Sequence, residues 1–253
     1  MISVDSVYQT VQRILNVEQR GQLPPADFNR FAKLAQDELF NNLFYDRAHF
    51  KINPKGNMEI RKENQEKIDV FIRHGQLNPT ADGANTYAMP EDLYMLGTVY
   101  YDQSNGVRVI VDNIRHMDAQ YIMNSPLTAP TTQLPKYVRF NSDAKGQGSI
   151  TVYPNTITGA IDNADPMNPV YTTSLSADYV KIPTPPEWAY LMLGDAETPI
   201  YNMADSTDFE LHPSMEDDLV MKVLYYAAIS TRQDDVASYA AGGIQQDEQS
   251  DKS

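Results

Sequence analysis

The apolar residues of this chain change their spacing twice, and that pattern limits the folds open to it. Val4, Val7, Tyr8, Val11, Ile14 and Leu15 recur at the i, i+3, i+4, i+7 spacing of one helical face, with Ser3 or Asp5 placed as a cap. "RGQLPP" stops that helix, because Gly21 suits a turn and Pro24 and Pro25 cannot donate backbone hydrogen bonds, although proline is tolerated in a first helical turn. A second helix is predicted over residues 23–44. Its stripe is Phe28, Phe31, Leu34, Ala35, Leu39 and Leu43, with Asp27, Asn29, Arg30, Lys33, Gln36 and Asp37 on the other face. Joined by so short a turn, the two helices are expected to pack antiparallel. After "NPKGN" (53–57) the helical spacing resumes from Met58 to Arg73, through Ile60, Lys67, Ile68, Phe71 and Ile72, and Gly75 is placed to end it.

From about Tyr87 prolines recur, and short β-branched and aromatic runs are separated by turn residues. Strands are predicted at 96–102, 106–111, 136–141, 148–154 and 178–183, with "QSNG" (103–106) and "DAKGQG" (143–148) as hairpin turns. A short helix over Asn113 to Met123, capped by Asp112, interrupts them. Residues 154–176, rich in Pro, Asn, Thr and Asp, read as a long loop, and loops of that length are usually functional or disordered. Helical order returns at about 215–229 and 232–241, behind the capping-box-like "SMED" (Ser214, Asp217) and "TRQD" (Thr231, Asp234). Leu219, Val220, Val223, Leu224 and Ala227 form the first of these two apolar faces. The fold class expected is α+β. Helices in 1–80 and 207–242 form a bundle, a central antiparallel β-rich domain (barrel or sandwich) spans 86–190, and the polar, acidic 243–253 is a disordered tail.

Charge is distributed unevenly. Residues 1–150 carry 17 Asp/Glu against 16 Lys/Arg, whereas residues 151–253 carry 17 against 4, so nearly all of the net −14 lies in the C-terminal part. An acidic surface repels nucleic acid, because duplex affinity comes largely from cations that replace condensed counterions on phosphates. The absence of cysteine excludes disulfides and thiolate chemistry. No apolar run approaches the roughly 20 residues of a membrane span, and Met1 to Asn16 does not resemble a secretory signal. The expected setting is the cytosol, or a particle assembled there.

Motifs that carry chemistry are sparse. His49, His74, His116 and His212 stand far apart and read as surface or cap residues rather than ligands. There is no GxGxxG, GxxxxGK[ST] or GxSxG, and "GQGS" (146–149) lies between predicted strands, where a turn is the simpler reading. The carboxylate clusters "DNAD" (Asp162 to Asp165) and "MEDD" (Glu216 to Asp218) lack the geometry of a calcium loop, and the second suits a helix N-terminus. No cofactor, metal or catalytic residue is expected. The 16 tyrosines remain. A ring with a polar tip suits surfaces buried only when a partner arrives, and equally suits ordinary strands. The candidate interface residues are Tyr100, Tyr101, Trp188, Tyr190, Tyr225 and Tyr226.

Two segments carry a family resemblance. "VYQTVQRILNVEQRGQLPPADFNRFAKLAQDELF" (7–40) and "TDFELHPSMEDDLVMKVLYYAAISTRQDDVASYA" (207–240) together cover 68 of the 253 residues. With "LPKYVRF" and "PTPPEWAY" between them, they resemble the ring proteins that join portal to tail in short-tailed bacteriophages, in particular crAss-like gut phages. The resemblance implies a non-enzymatic virion protein, a homo-oligomeric ring of about twelve copies. Its implied partners are the portal protein and neighbouring tail or ring proteins, around a channel through which genomic DNA passes without sequence-specific binding and with no membrane contact. Two other classes stay open: a monomeric carboxylate-based hydrolase, for which the acidic clusters speak, and an aromatic carbohydrate-binding module, which a secreted chain would favour.

Overall fold

A computed structural model describes residues 1–17, 23–52, 65–140, 148–162, 170–192 and 199–230. The chain divides into two compact units: residues 1–71 with 183–253, the terminal unit, and residues 72–182, the β unit.

The terminal unit contains α1 (Val4–Val17), α2 (Pro25–Ile52), a helical stretch α3 (65–69) and α5 (Glu216–Ser230). On α1 the predicted face is buried at Val4, Val7, Val11 and Leu15, while Ile14 turns to solvent. The Ser3 hydroxyl accepts from the Ser6 amide at 3.5 Å and takes the capping position. Pro25 opens α2, as its missing amide hydrogen allows. The buried face of α2 is rotated from the one expected: Phe28, Ala32, Ala35, Gln36, Leu39 and Phe40 are buried, whereas Leu34 lies 51 % exposed. Gln36, placed on the polar face by sequence, is fully buried because its amide donates to the Thr184 carbonyl (2.8 Å) and accepts from the Glu210 amide (3.2 Å). Both α1 and α2 pack on α5, and α1 also touches α2 through Tyr8, whose ring lies edge-on to Phe28 at 4.9 Å. Ser214, the expected cap of that helix, lies inside a 3-10 turn, Pro213–Met215; the His212 ring accepts from the Ser214 amide instead.

In the β unit, eight strands form one sheet in the order β1-β10-β4-β5-β6-β7-β3-β2. These are β1 (Ile72–Gln76), β2 (Asn78–Pro79), β3 (Thr86–Ala88), β4 (Leu93–Asp102), β5 (Arg108–Asn113), β6 (Lys136–Phe140), β7 (Ser149–Tyr153) and β10 (Leu175–Lys181). Neighbours are antiparallel except β5 and β6. The two end strands, β1 and β2, are separated in sequence only by Leu77, so the sheet curls until its edges nearly meet. Leu77 is buried, and its amide donates to the Leu175 carbonyl, which carries the pairing of β1 with β10 one residue further. Inside lie Tyr87, Met89, Val99, Val111, Tyr137, Ile150, Val152, Ile157, Leu175 and Ala177. At "QSNG", Gly106 adopts φ +80°, which an L side chain would resist, and Asp102 opposes Arg108 across the hairpin.

Three expectations fail here. Residues 72–76 are a strand, not the end of a helix, so β1 and β2 fall within the 1–80 segment that the spacing gave to helices. The interrupting helix, α4, is His116–Asn124; Asp112 lies within β5, and Arg115 at the N-cap makes no side-chain cap. The stretch 154–176 carries a hairpin, β8 (Ala160–Asp162) with β9 (Val170–Thr172), before β10 begins. The "NPKGN" break, residues 58–64 of the third predicted helix, the helix at 232–241 and the tail 243–253 lie outside the described residues.

Candidate functional site

The six candidate aromatics fall into three environments. Trp188 belongs to the core of the terminal unit and is only 4 % exposed, so it has almost no surface to offer a neighbour. Asn29 on α2 reads its backbone on both sides, accepting from the Trp188 amide (2.9 Å) and donating to its carbonyl (3.3 Å), while the indole Nε1 donates to Asp5 (3.0 Å). Tyr8 packs on the indole at 4.3 Å, and Tyr190 and Tyr201 stack on it at 5.9 and 5.6 Å. The last two belong to a separate ribbon, β11 (Tyr190–Met192) with β12 (Pro199–Tyr201). Trp188 is therefore the rivet that holds this ribbon to α1 and α2.

Tyr225 and Tyr226 lie on α5. The Tyr226 hydroxyl donates to Glu38 on α2 at 2.6 Å, and the same carboxylate receives the Lys222 ammonium at 2.8 Å. Lys222 is buried on the apolar side of α5, where the sequence shows only Leu, Val and Ala as a face. Burial and the bond to Glu38 push the Tyr226 hydroxyl up to about 12. Burial works against the Glu38 charge, but Lys222 and Tyr226 outweigh it and hold the carboxyl below its usual range. A buried ammonium is tolerated here because its charge is paired at once.

Tyr100 and Tyr101 point to opposite faces of β4. Tyr101 packs against the interior of the curled sheet. On the outer face, Tyr100 donates to Asp178 (2.9 Å), and His74 Nδ1 lies 2.7 Å from the other oxygen of that carboxylate. The Arg108 guanidinium stands 5.4 Å over the Tyr100 ring and bonds Asp102 at 2.7 and 3.1 Å. The bond to Asp178 raises the Tyr100 hydroxyl; Asp178 itself, despite partial burial, is held below the usual carboxylate range by His74 and Tyr100. Arg108 likewise lowers Asp102. This exposed network staples β1, β10, β4 and β5 together.

His116 stacks edge-on to Phe140, and the His49 side chain lies outside the described residues. In "MEDD", Glu216 accepts from the Ser6 hydroxyl at 3.3 Å; residues 163–165 of "DNAD" lie outside the described residues. Among the described residues no group of three His, Asp or Glu is gathered as a metal site, and no helix is long and apolar enough to cross a membrane.

Sequence reasoning missed two apolar surfaces. On the ribbon, Leu191 and Ile200 oppose each other across the strands, 59 % and 46 % exposed. On α4, Ala119, Ile122 and Met123 pack inward over Val138, whereas Met117 and Tyr121, one turn apart on the outward face, are 83 % and 81 % exposed. The signal for the second was in the sequence, since "HMDAQYIMN" is apolar on both faces. No protein-family model matches the chain, and no curated protein matches it.

Proposed function

We propose that this chain is a non-enzymatic virion protein. In this reading it forms a homo-oligomeric ring in the portal-to-tail connector of a short-tailed phage, of the kind found in crAss-like phages. The observation that carries the reading is the apolar surface left open on ordered elements: Leu191, Met192 and Ile200 on the ribbon, and Met117 and Tyr121 on α4. Side chains of this kind on regular secondary structure are what a subunit keeps for its neighbours. The resemblance of residues 7–40 and 207–240 supplies the particular assembly. In that assembly the helices of the terminal unit form a bundle, the ring has about twelve members, and the portal and adjoining tail proteins contact its two rims. The acidity of residues 151–253 then keeps passing DNA from adhering, because phosphates meet few cations there.

The test is to mix the purified chain with portal rings and reconstruct the complex by electron microscopy. The expected result is a closed ring coaxial with the portal. A chain that stays an unbound monomer beside portal rings sinks the reading, and a channel lined mainly by Lys and Arg sinks the role given to the acidic segment.

A further inference from the structure

The chain passes between its two units twice, from Phe71 to Ile72 and from Ile182 to Pro183. Each passage is short and is held on both sides. In the first, Phe71 is fully buried in the terminal unit, its ring edge-on to Phe40 at 4.9 Å and its amide donating to the Ile68 carbonyl. The next residue, Ile72, is already paired with Val180 in the β unit. In the second, the Ile182 amide donates to the Asp92 carbonyl at 2.7 Å. Two residues later Thr184 is clamped into the terminal unit: its carbonyl accepts from buried Gln36 (2.8 Å) and its amide donates to Glu210 (2.9 Å).

The two passages also leave the sheet side by side. Because β1 and β10 are antiparallel neighbours, the start of one lies beside the end of the other. Bending is kept from spreading into the β unit by the ladder between Ile72–Gln76 and Val180–Ser176, reinforced where Asp178 is bonded by His74 and Tyr100. At the second passage Pro183 fixes its own φ and keeps Ile182 extended, which leaves few torsions free. A single linker permits rotation in every direction. Two adjacent ones permit turning about the line that joins them and oppose the rest, and a hinge needs only a few such residues at element ends.

We propose that Phe71 to Ile72 and Ile182 to Pro183 form one hinge, about which the β unit turns as a rigid body on the terminal unit. Gln36 then marks where the second pivot stops, and the His74, Asp178 and Tyr100 network keeps the two strands that carry the pivots together. The hinge belongs to a single chain and does not rest on the ring reading. Within a ring, it lets the helices keep their contacts while the β units turn.

The chain has no cysteine, so spin labels can be placed on introduced thiols in the full-length protein. Exposed sites are Thr10→Cys on α1 and Ile229→Cys on α5 in the terminal unit, and Ile110→Cys on β5 in the β unit. Close to the pivots are Asp69→Cys, just before Phe71, and Met95→Cys, which opposes Val180 on β4. Each doubly labelled chain is diluted with unlabelled chain, and label separations are measured by electron paramagnetic resonance. At least one of the pairs 10/110 and 229/110 should show a distance distribution about twofold or more wider than the 10/229 pair inside the terminal unit. The 69/95 pair, beside the axis, should stay as narrow as that reference. If both cross-unit pairs are as narrow as the reference, the units form one rigid body and the proposal is overturned. If the 69/95 pair is as wide as the others, the link is a loose tether and the single axis is overturned. Pro183→Gly, which frees φ at one pivot, should widen the 69/95 pair; an unchanged width removes that passage from the hinge.

Discussion

In the β unit, chain segments far apart in sequence are joined by ladders of backbone hydrogen bonds; in the terminal unit, beyond the single-residue bridges Ile2–Phe209 and Glu187–Thr207, side chains take over that task. His74 on β1 meets Asp178 on β10 because Ile72 to Gln76 already pair with Val180 to Ser176. Across the terminal unit the connecting groups are Gln36 to Thr184 and Glu210, Asn29 to Trp188, Asp5 to Trp188, and Glu38 to Lys222. Backbone pairing distributes its energy over many equivalent bonds, whereas a few buried polar side chains concentrate it. Single substitutions should therefore do more damage in the terminal unit, and graded tests can break that expectation.

The largest effect should come from Trp188→Ala. It removes a buried indole and, with it, the stacking of Tyr8, Tyr190 and Tyr201. The loss expected is about 3–5 kcal/mol, read from denaturant unfolding followed by circular dichroism. Trp188 is also the only tryptophan, so in the parent chain its fluorescence reports the terminal unit alone. A loss under about 1 kcal/mol, within the range of ordinary surface changes, would remove the rivet from the account.

Next comes Glu38→Gln, which leaves the Lys222 ammonium buried without its carboxylate. About 1–3 kcal/mol is expected, less than for a fully enclosed pair because Glu38 is itself partly exposed. Lys222→Met should cost less than Glu38→Gln, since it removes the charge that needs a partner. The pH dependence has two limbs. Glu38 is lowered in the native state, so its stabilisation is present above the ordinary glutamate range and is lost as pH falls through the native value. Tyr226 is raised from 10.0 to about 12, so its contribution is whole below about pH 10 and declines as pH rises toward 12. Tyr87, buried inside the curled sheet, is also raised to about 12, so the β unit carries a matching alkaline limb. Tyr226→Phe should weaken the limb of the terminal unit only, where burial also raises Tyr8, and Tyr87→Phe that of the β unit only, where burial also raises Tyr137 and Tyr179.

These contrasts also explain what could be read in the sequence. The buried residues of α1 and α5 repeat at helical spacing, and the β4–β5 hairpin announces itself by Asn105-Gly106, because both signals are local. By contrast, β1 reads "IRHGQ", almost wholly exposed and without alternation, and is a strand only because β10, about a hundred residues away, pairs with it. Gln36 and Lys222 look like surface residues until their partners on other segments are known. Of the aromatics singled out for a neighbour, Trp188 is core and Tyr101 packs inward, while the open surface holds Leu191, Met192, Ile200 and Met117 with an aromatic that was not singled out, Tyr121. Aromatic residue type could not separate the two roles, since stacking on one's own core and on a partner use the same chemistry.

Gly97→Ala probes the β unit where backbone pairing is at its tightest. A Cβ at Gly97 would stand 2.7 Å from the Asp178 carbonyl oxygen, at the irregularity between Ala177 and Tyr179 where β10 shifts register against β4. Backbone cannot yield as a side-chain tip does, so about 1–3 kcal/mol should be lost. A neutral result would show that the bulge relaxes freely.

The smallest effect should come from Tyr100→Phe, which tests whether the outer polar network of the β unit adds to stability or only decorates the sheet. The lost hydroxyl gives one bond to Asp178 in an exposed setting, where water replaces it readily. A change within about 0.5 kcal/mol is expected. Asp178 should nevertheless titrate closer to the ordinary carboxylate range, because one of the two bonds that hold it low is gone and only His74 remains. Carboxyl NMR across the acid range would show this as an upward shift of the Asp178 midpoint. A loss as large as that of Glu38→Gln would mean that side-chain bonds hold the β unit as they hold the terminal one, and the distinction between the two would fail.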